Sequence, residues 1–93
     1  QVTAQSLGDR FGEQAKRSAW KIIKKGLAHV VASDAHDATN RPPRLDIARE
    51  ILTREIGKSA ATLLLMENPA SILVGSPIRP VAHSLVRAAF TFV

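Results

Sequence analysis

The residues of this chain best suited to chemistry are Asp34 and His36, in the run Ser33-Asp34-Ala35-His36 that directly follows the apolar Val30-Val31-Ala32. Carboxylate oxygen and imidazole nitrogen are protein donors for hard and borderline divalent cations. An apolar run of strand length that ends in both donors is a candidate metal corner, because α/β barrels do their chemistry where strands end. In an extended segment, positions i and i+2 face the same side, so both side chains are expected to meet one ion or two neighbouring ions. The competing reading is an Asp that caps a turn beside a surface His. Two ligands from one loop also fall short of the three protein ligands that catalytic sites generally use.

The loop carries further candidates. Arg41 lies five residues beyond His36. A guanidinium there suits bidentate clamping of a phosphate, although an ordinary loop arginine fits as well. Asp37 reads either as a partner that orients an imidazole or as a turn residue, and Asn40 as a turn former or a polar site residue. His29 opens the apolar run and is expected to be a hydrogen-bonded core histidine. His83 is expected to face solvent. The chain has no His-x-His, no Gly-rich phosphate loop, no His-Glu-x-x-His and no assembled Ser-His-Asp set, which removes several hydrolase and nucleotide-binding readings.

The elements that must position these residues follow from periodicity. Phe11, Ala15, Ala19, Ile22 and Ile23 recur at helical spacing, so residues 9–25 read as a helix with Asp9 as N-cap and Gly26 as its stop. Trp20 falls at the core edge. Residues 28–33 read as a short strand buried on both faces, as in a parallel sheet. Residues 34–43 form a polar loop ending at Pro42-Pro43, which excludes helix just before them. Residues 44–56 read as a second helix burying Leu45, Ala48, Ile51, Leu52 and Ile56, with Glu50 and Arg54 as an i,i+4 pair. Ser59 is expected to cap a third helix through Glu67. Asn68 is expected to cap a short turn with Pro69 at its first position. Gly75-Ser76-Pro77 then closes the compact part, residues 1–77. Residues 78–93 form an amphipathic tail without an acidic residue, expected to cover the domain or a partner.

Ninety-three residues with 45% hydrophobic and 23% charged content describe one small globular domain, or one piece of a larger one, with a thin stability margin. There is no cysteine, hence no disulfide and no thiolate site, and the expected compartment is the reducing cytoplasm. No apolar run approaches the roughly 20 residues of a membrane span. The start, Gln1-Val2-Thr3, does not read as a secretory leader and lacks an initiating methionine, so the chain is expected to begin inside a longer protein. The net charge of +5 raises the prior for phosphate-bearing or acidic partners, and residues 9–25 hold six basic residues against two acidic ones. A solvated helix face accounts for that run. With aromatics at 4% and no Tyr, a base-stacking platform for nucleic acid is missing. The tail's polar face carries only two fixed charges, which argues against a membrane-surface helix.

Ser33-Asp34-Ala35-His36-Asp37, followed by Asn40-Arg41-Pro42-Pro43-Arg44-Leu45, resembles the last metal motif of the PHP-type (polymerase and histidinol phosphatase) metallophosphoesterases. Within that superfamily the resemblance is to the bacterial manganese-dependent protein-tyrosine phosphatases of capsule and exopolysaccharide operons. Ser6-Leu7, Arg10-Phe11-Gly12, Ala19-Trp20, Glu67-Asn68-Pro69 and Ile72-Leu73 are similar to the family's flanks, so the likeness spans about residues 3–77. It implies an α/β fold, the C-terminal portion of a distorted (β/α) barrel, mainly helical with one or two short parallel strands. It also implies a divalent metal, manganese in the first place with iron or zinc as alternatives, bound by Asp34 and His36. Arg41 matches an arginine that the family places near the substrate phosphate. The implied reaction is hydrolysis of phosphotyrosine on a protein, such as a bacterial tyrosine kinase of polysaccharide export. The family's other ligands come from an N-terminal His-x-His and from earlier strands, and those positions are absent here. The chain is therefore expected to be a fragment, inactive alone, and to self-associate through exposed strand edges and apolar surface. Three other readings stand beside this one: another PHP phosphoesterase such as a histidinol-phosphate phosphatase, a non-catalytic interaction module, and a small nucleic-acid binder.

Overall fold

The computed structural model describes residues 1–36, 39 and 44–81. Its first element is a strand, β1 (Val2–Thr3), followed by a 3-10 turn, Ala4–Leu7. Helix α1 (Glu13–Lys24) leads to β2 (Val31–Ala32). Helix α2 (Asp46–Ile56) is followed by α3 (Lys58–Thr62), a π-helical turn (Leu63–Glu67) and α4 (Asn68–Val74). The two strands pair in parallel, with Val2 opposite Val31 and Thr3 opposite Ala32. The unit β1-α1-β2 is thus a complete βαβ crossover, of which periodicity reveals only the helix and the second strand. A strand of two residues at the start of a sequence has no period to detect.

The core is continuous from the strands to the helices. Val2, Leu7, Ile23 and Val31 pack with Leu52, Ile56, Leu63 and Leu64, and Val81 closes the cluster. Helix α1 buries a narrower stripe than its spacing suggests. Ala19 and Ile23 are buried, whereas Phe11 and Ile22 are each 40% exposed. Phe11 precedes the helix, because the chain turns through Gly12 at φ +93° and helix begins only at Glu13. Asp9 is accordingly not the N-cap. Its carbonyl accepts from the Gly12 N–H at 3.2 Å and its carboxylate pairs with Lys16 at 3.3 Å.

The end of α1 follows the glycine rule. The Leu27 N–H donates to the Ile22 carbonyl and the Gly26 N–H to the Ile23 carbonyl, at 3.1 and 3.0 Å, around Gly26 at φ +70°. This is the paired bond pattern of a Schellman stop. Trp20 lies at the core edge, and its indole N–H donates to the Leu7 carbonyl at 3.1 Å. Helix α2 buries Ala48, Leu52 and Ile56, with Leu45 and Ile51 half-buried. Arg54 pairs with the adjacent Glu55 at 3.5 Å rather than with Glu50.

Three details of the last helices depart from expectation. Gly57, not Ser59, precedes α3, and no side chain caps it. The helical run continues through the π-turn into α4, so Asn68 is not a cap either. Its side chain is turned inward and is 2% exposed. The Asn68 amide donates to the carbonyls of His29 at 2.7 Å and Arg79 at 2.5 Å, and its oxygen accepts from the Arg79 N–H at 3.3 Å. Packed structure therefore continues past Pro77. Glu67 pairs with Arg79 at 3.6 Å, the Val81 N–H donates to the Ala28 carbonyl at 3.3 Å, and Val81 is 1% exposed. The rest of the expected tail, with His83, lies outside the described residues.

A candidate metal corner at the end of the second strand

Parallel pairing brings the C-terminal ends of β1 and β2 to one edge of the sheet. β2 ends at Ala32, and Ser33 leads at once to Asp34 and His36, both exposed. The strand thus delivers both predicted donors to its C-terminal edge, as the position of the apolar run suggests.

The local geometry differs from simple strand alternation. Asp34 has φ +49°, the one positive value on a residue other than glycine among those described. Asp tolerates this left-handed region better than most residues, but it still costs free energy relative to extended backbone. The turn folds the chain back, and the His36 Nδ1 comes within 2.7 Å of the Asp34 carbonyl oxygen. A carbonyl only accepts, so Nδ1 carries the hydrogen and donates. When the ring is neutral, that arrangement leaves the lone pair on Nε2. A backbone carbonyl that fixes the tautomer in this way is a recurrent support for metal-ligating histidines.

The donor set therefore fits part of a divalent-cation site: one carboxylate and one imidazole, whose Nδ1 lies against the Asp34 carbonyl. Among the described residues no group of three or more His, Asp or Glu side chains could hold an ion. Asp37, Asn40 and Arg41 lie outside the described residues. His29 is half-buried two residues before β2, and the bond that ties it in runs to its carbonyl rather than to its ring. Where the loop rejoins α2, Arg44 grips Asp46 by two bonds, Nε to Oδ1 at 3.2 Å and Nη2 to Oδ2 at 2.6 Å. The hydrogen bonds from Arg44 hold the Asp46 carboxyl below the usual carboxylate range, and those to Asp46 raise the Arg44 guanidinium.

Gln5 escapes motif reading altogether. It stands two residues beyond β1, as Asp34 stands two beyond β2, and its Oε1 is buried with no hydrogen-bond partner among the described residues. Only the strand pairing could have pointed to it. No described helix is long and apolar enough to cross a membrane.

Comparison with known proteins agrees along most of the chain. The family described as capsular polysaccharide synthesis, CpsB/CapC, matches residues 1–74. Tyrosine-protein phosphatase CpsB of Streptococcus agalactiae is 38% identical over 72 residues, which is 77% of this chain and 30% of that protein. Tyrosine-protein phosphatase CpsB of Streptococcus pneumoniae is 36% identical over 68 residues, 73% of this chain and 28% of that protein. Tyrosine-protein phosphatase YwqE of Bacillus subtilis is 36% identical over 73 residues, 78% and 28% respectively. The chain spans less than a third of the length of these curated relatives.

Proposed function

We propose, since the chain belongs to the CpsB/CapC capsular polysaccharide synthesis family, that it forms the C-terminal metal corner of a metal-dependent protein-tyrosine phosphatase. The observation that carries this reading is the pair Asp34 and His36 at the end of a parallel strand, with the His36 Nδ1 within 2.7 Å of the Asp34 carbonyl. The names of the relatives, tyrosine-protein phosphatases, supply the substrate class. The proposed setting is a distorted PHP-type (β/α) barrel in the cytoplasm, of which β1-α1-β2 is one crossover. The proposed substrate is a phosphotyrosine protein, such as a tyrosine kinase of polysaccharide export.

Asp34 and His36 would hold a divalent cation, manganese in the first place. Such a cation supplies Lewis acidity and activates water for attack on a phosphate ester. The role of Asp34 is to give anionic oxygen, and that of His36 is to give neutral nitrogen held by the Asp34 carbonyl. Arg41 is proposed to clamp the phosphoryl oxygens. With two donors the chain alone is expected to bind Mn²⁺ weakly and to hydrolyse nothing, because catalytic sites use three or more protein ligands. Exposed Leu73, Val74 and Met66, at 87%, 76% and 62%, support self-association of the isolated chain.

The test is Mn²⁺ binding to this chain by electron paramagnetic resonance, alongside hydrolysis of a phosphotyrosine peptide and of histidinol phosphate by the full-length parent enzyme. Weak binding that Asp34→Asn and His36→Ala each abolish is the expected result. Binding that survives both substitutions would remove the metal corner. Turnover of histidinol phosphate in preference to the peptide would move the reading to another phosphoesterase.

A further inference from the structure

Helix α1 and the C-terminal half of α2 border a groove of about 880 Å³. Its floor is apolar, formed by Leu7, Ile51 and Trp20, the chain's one tryptophan. Its walls carry both signs of charge, unevenly placed. Lys16, Arg17 and Arg54 are paired with Asp9, Glu13 and Glu55, at 3.3, 3.5 and 3.5 Å. The remaining cations of the lining, Lys21, Lys24 and Lys25, lie toward the end of α1. Lys21 and Lys25 have no carboxylate partner among the described residues.

We propose that this groove binds an extended acidic peptide segment, with two carboxylates on Lys21 and Lys25 and an apolar side chain on the floor. The spacing fits. Lys21 and Lys25 are one helical turn apart, which separates neighbours on a helix face by about 5–6 Å. Alternate side chains of an extended peptide face one side about 6.6 Å apart. The paired half of the wall offers both signs and so fixes direction, since like charges in juxtaposition disfavour the reversed register. Nucleic acid matches less well. Its evenly charged backbone would run along Asp9, Glu13 and Glu55, and the single indole, tied to the Leu7 carbonyl, is no stacking platform. A bilayer surface is flat and does not enter a concave groove.

Trp20 lines the site, so its fluorescence reads occupancy without metal, phosphate or turnover, and failure here leaves the metal corner untouched. The probe is the peptide acetyl-Leu-Ser-Glu-Ser-Glu-amide, titrated into the full chain at low salt. Saturable binding is expected, weakened by salt and about tenfold weaker in the double variant Lys21→Glu/Lys25→Glu. Both positions are exposed, so the variant's circular dichroism should match that of the parent. The milder Lys21→Gln/Lys25→Gln variant should fall between the two. The proposal is overturned if the same peptide with Gln for Glu binds equally. An unsaturable response to the acidic peptide overturns it too, as does tighter binding of an oligothymidylate or of phosphatidylglycerol vesicles.

Discussion

The two ends of β2 are built on opposite terms. Where the strand begins, its backbone is tied down from several directions. The His29 carbonyl accepts from buried Asn68, the Ala28 carbonyl from Val81, and the Val30 carbonyl from Val2 at 2.8 Å. Where the strand ends, the side chains are exposed, the backbone turns left-handed at Asp34, and the described bonds are exposed ones: His36 Nδ1 to the Asp34 carbonyl and, where the chain enters α2, the pair Arg44–Asp46. Buried polar bonds hold position, because a buried carbonyl that loses its partner cannot recover the bond from water. Exposed donors are held less firmly than buried ones. The same division separates the stability face from the chemical face of α/β barrels.

The largest effects should come from the held end. Leu64 is fully buried in the π-turn that precedes Asn68. Leu64→Ala should destabilise the chain by about 2–5 kcal/mol in urea unfolding, with a residual cavity. On a domain of this size that is a large part of the total. Asn68→Ala should cost about 1–3 kcal/mol, because it orphans the His29 and Arg79 carbonyls in one step. Hydrogen exchange should speed up at the Arg79 amide, which the Asn68 oxygen accepts. If Asn68→Ala left stability unchanged but altered Mn²⁺ binding, the division between the two ends would not hold.

The sequence makes one of these ends much more legible than the other. Asp34 and His36 stand out because their chemistry is carried by residue type and by a strand-length apolar run before them. Gly26 ends α1 and Gly57 ends α2 as expected, because positive φ at a helix stop has a local cause. Asn68 is misread as a cap, since Asn before Pro69 is the usual signature of one. Its real partners lie 39 and 11 residues away in the chain, and the π-turn that rotates it inward has no sequence period. β1 is missed for a similar reason, since a strand of two residues is defined by its partner and not by itself. Extended geometry at Asp34 also fails as an expectation, because a left-handed Asp leaves no trace in a hydropathy pattern.

At the exposed end, stability and binding should come apart. At φ +49° glycine is at ease and alanine is not. Asp34→Gly should therefore be more stable than Asp34→Ala by about 1 kcal/mol, while both lose the carboxylate and with it Mn²⁺ binding. Asp34→Asn should keep the turn, because Asn also tolerates that region, and lose only the charge. Calorimetry of the three variants with a parallel Mn²⁺ titration measures both quantities. A Gly variant less stable than the Ala variant would mean that the left-handed turn is absent in solution.

The smallest effect belongs to the clasp beside that end. The Asp46 carboxyl is held below the usual carboxylate range by its hydrogen bonds from Arg44. A group whose pKa is lower in the folded state binds fewer protons there than in the unfolded chain. Its contribution is thus present above the unfolded pKa and is lost as pH falls through the folded one. Both partners are exposed, so water and salt screen the pair. Asp46→Asn should lower the melting temperature slightly at neutral pH and low salt, less at high salt, and progressively less as pH falls through the lowered folded-state pKa. Asn68→Ala should keep its full cost under all three conditions, because its bonds are part-buried and uncharged and Asn68 itself is buried. A salt-insensitive Asp46 alongside a salt-sensitive Asn68 would reverse the assignment of which end is held by buried bonds.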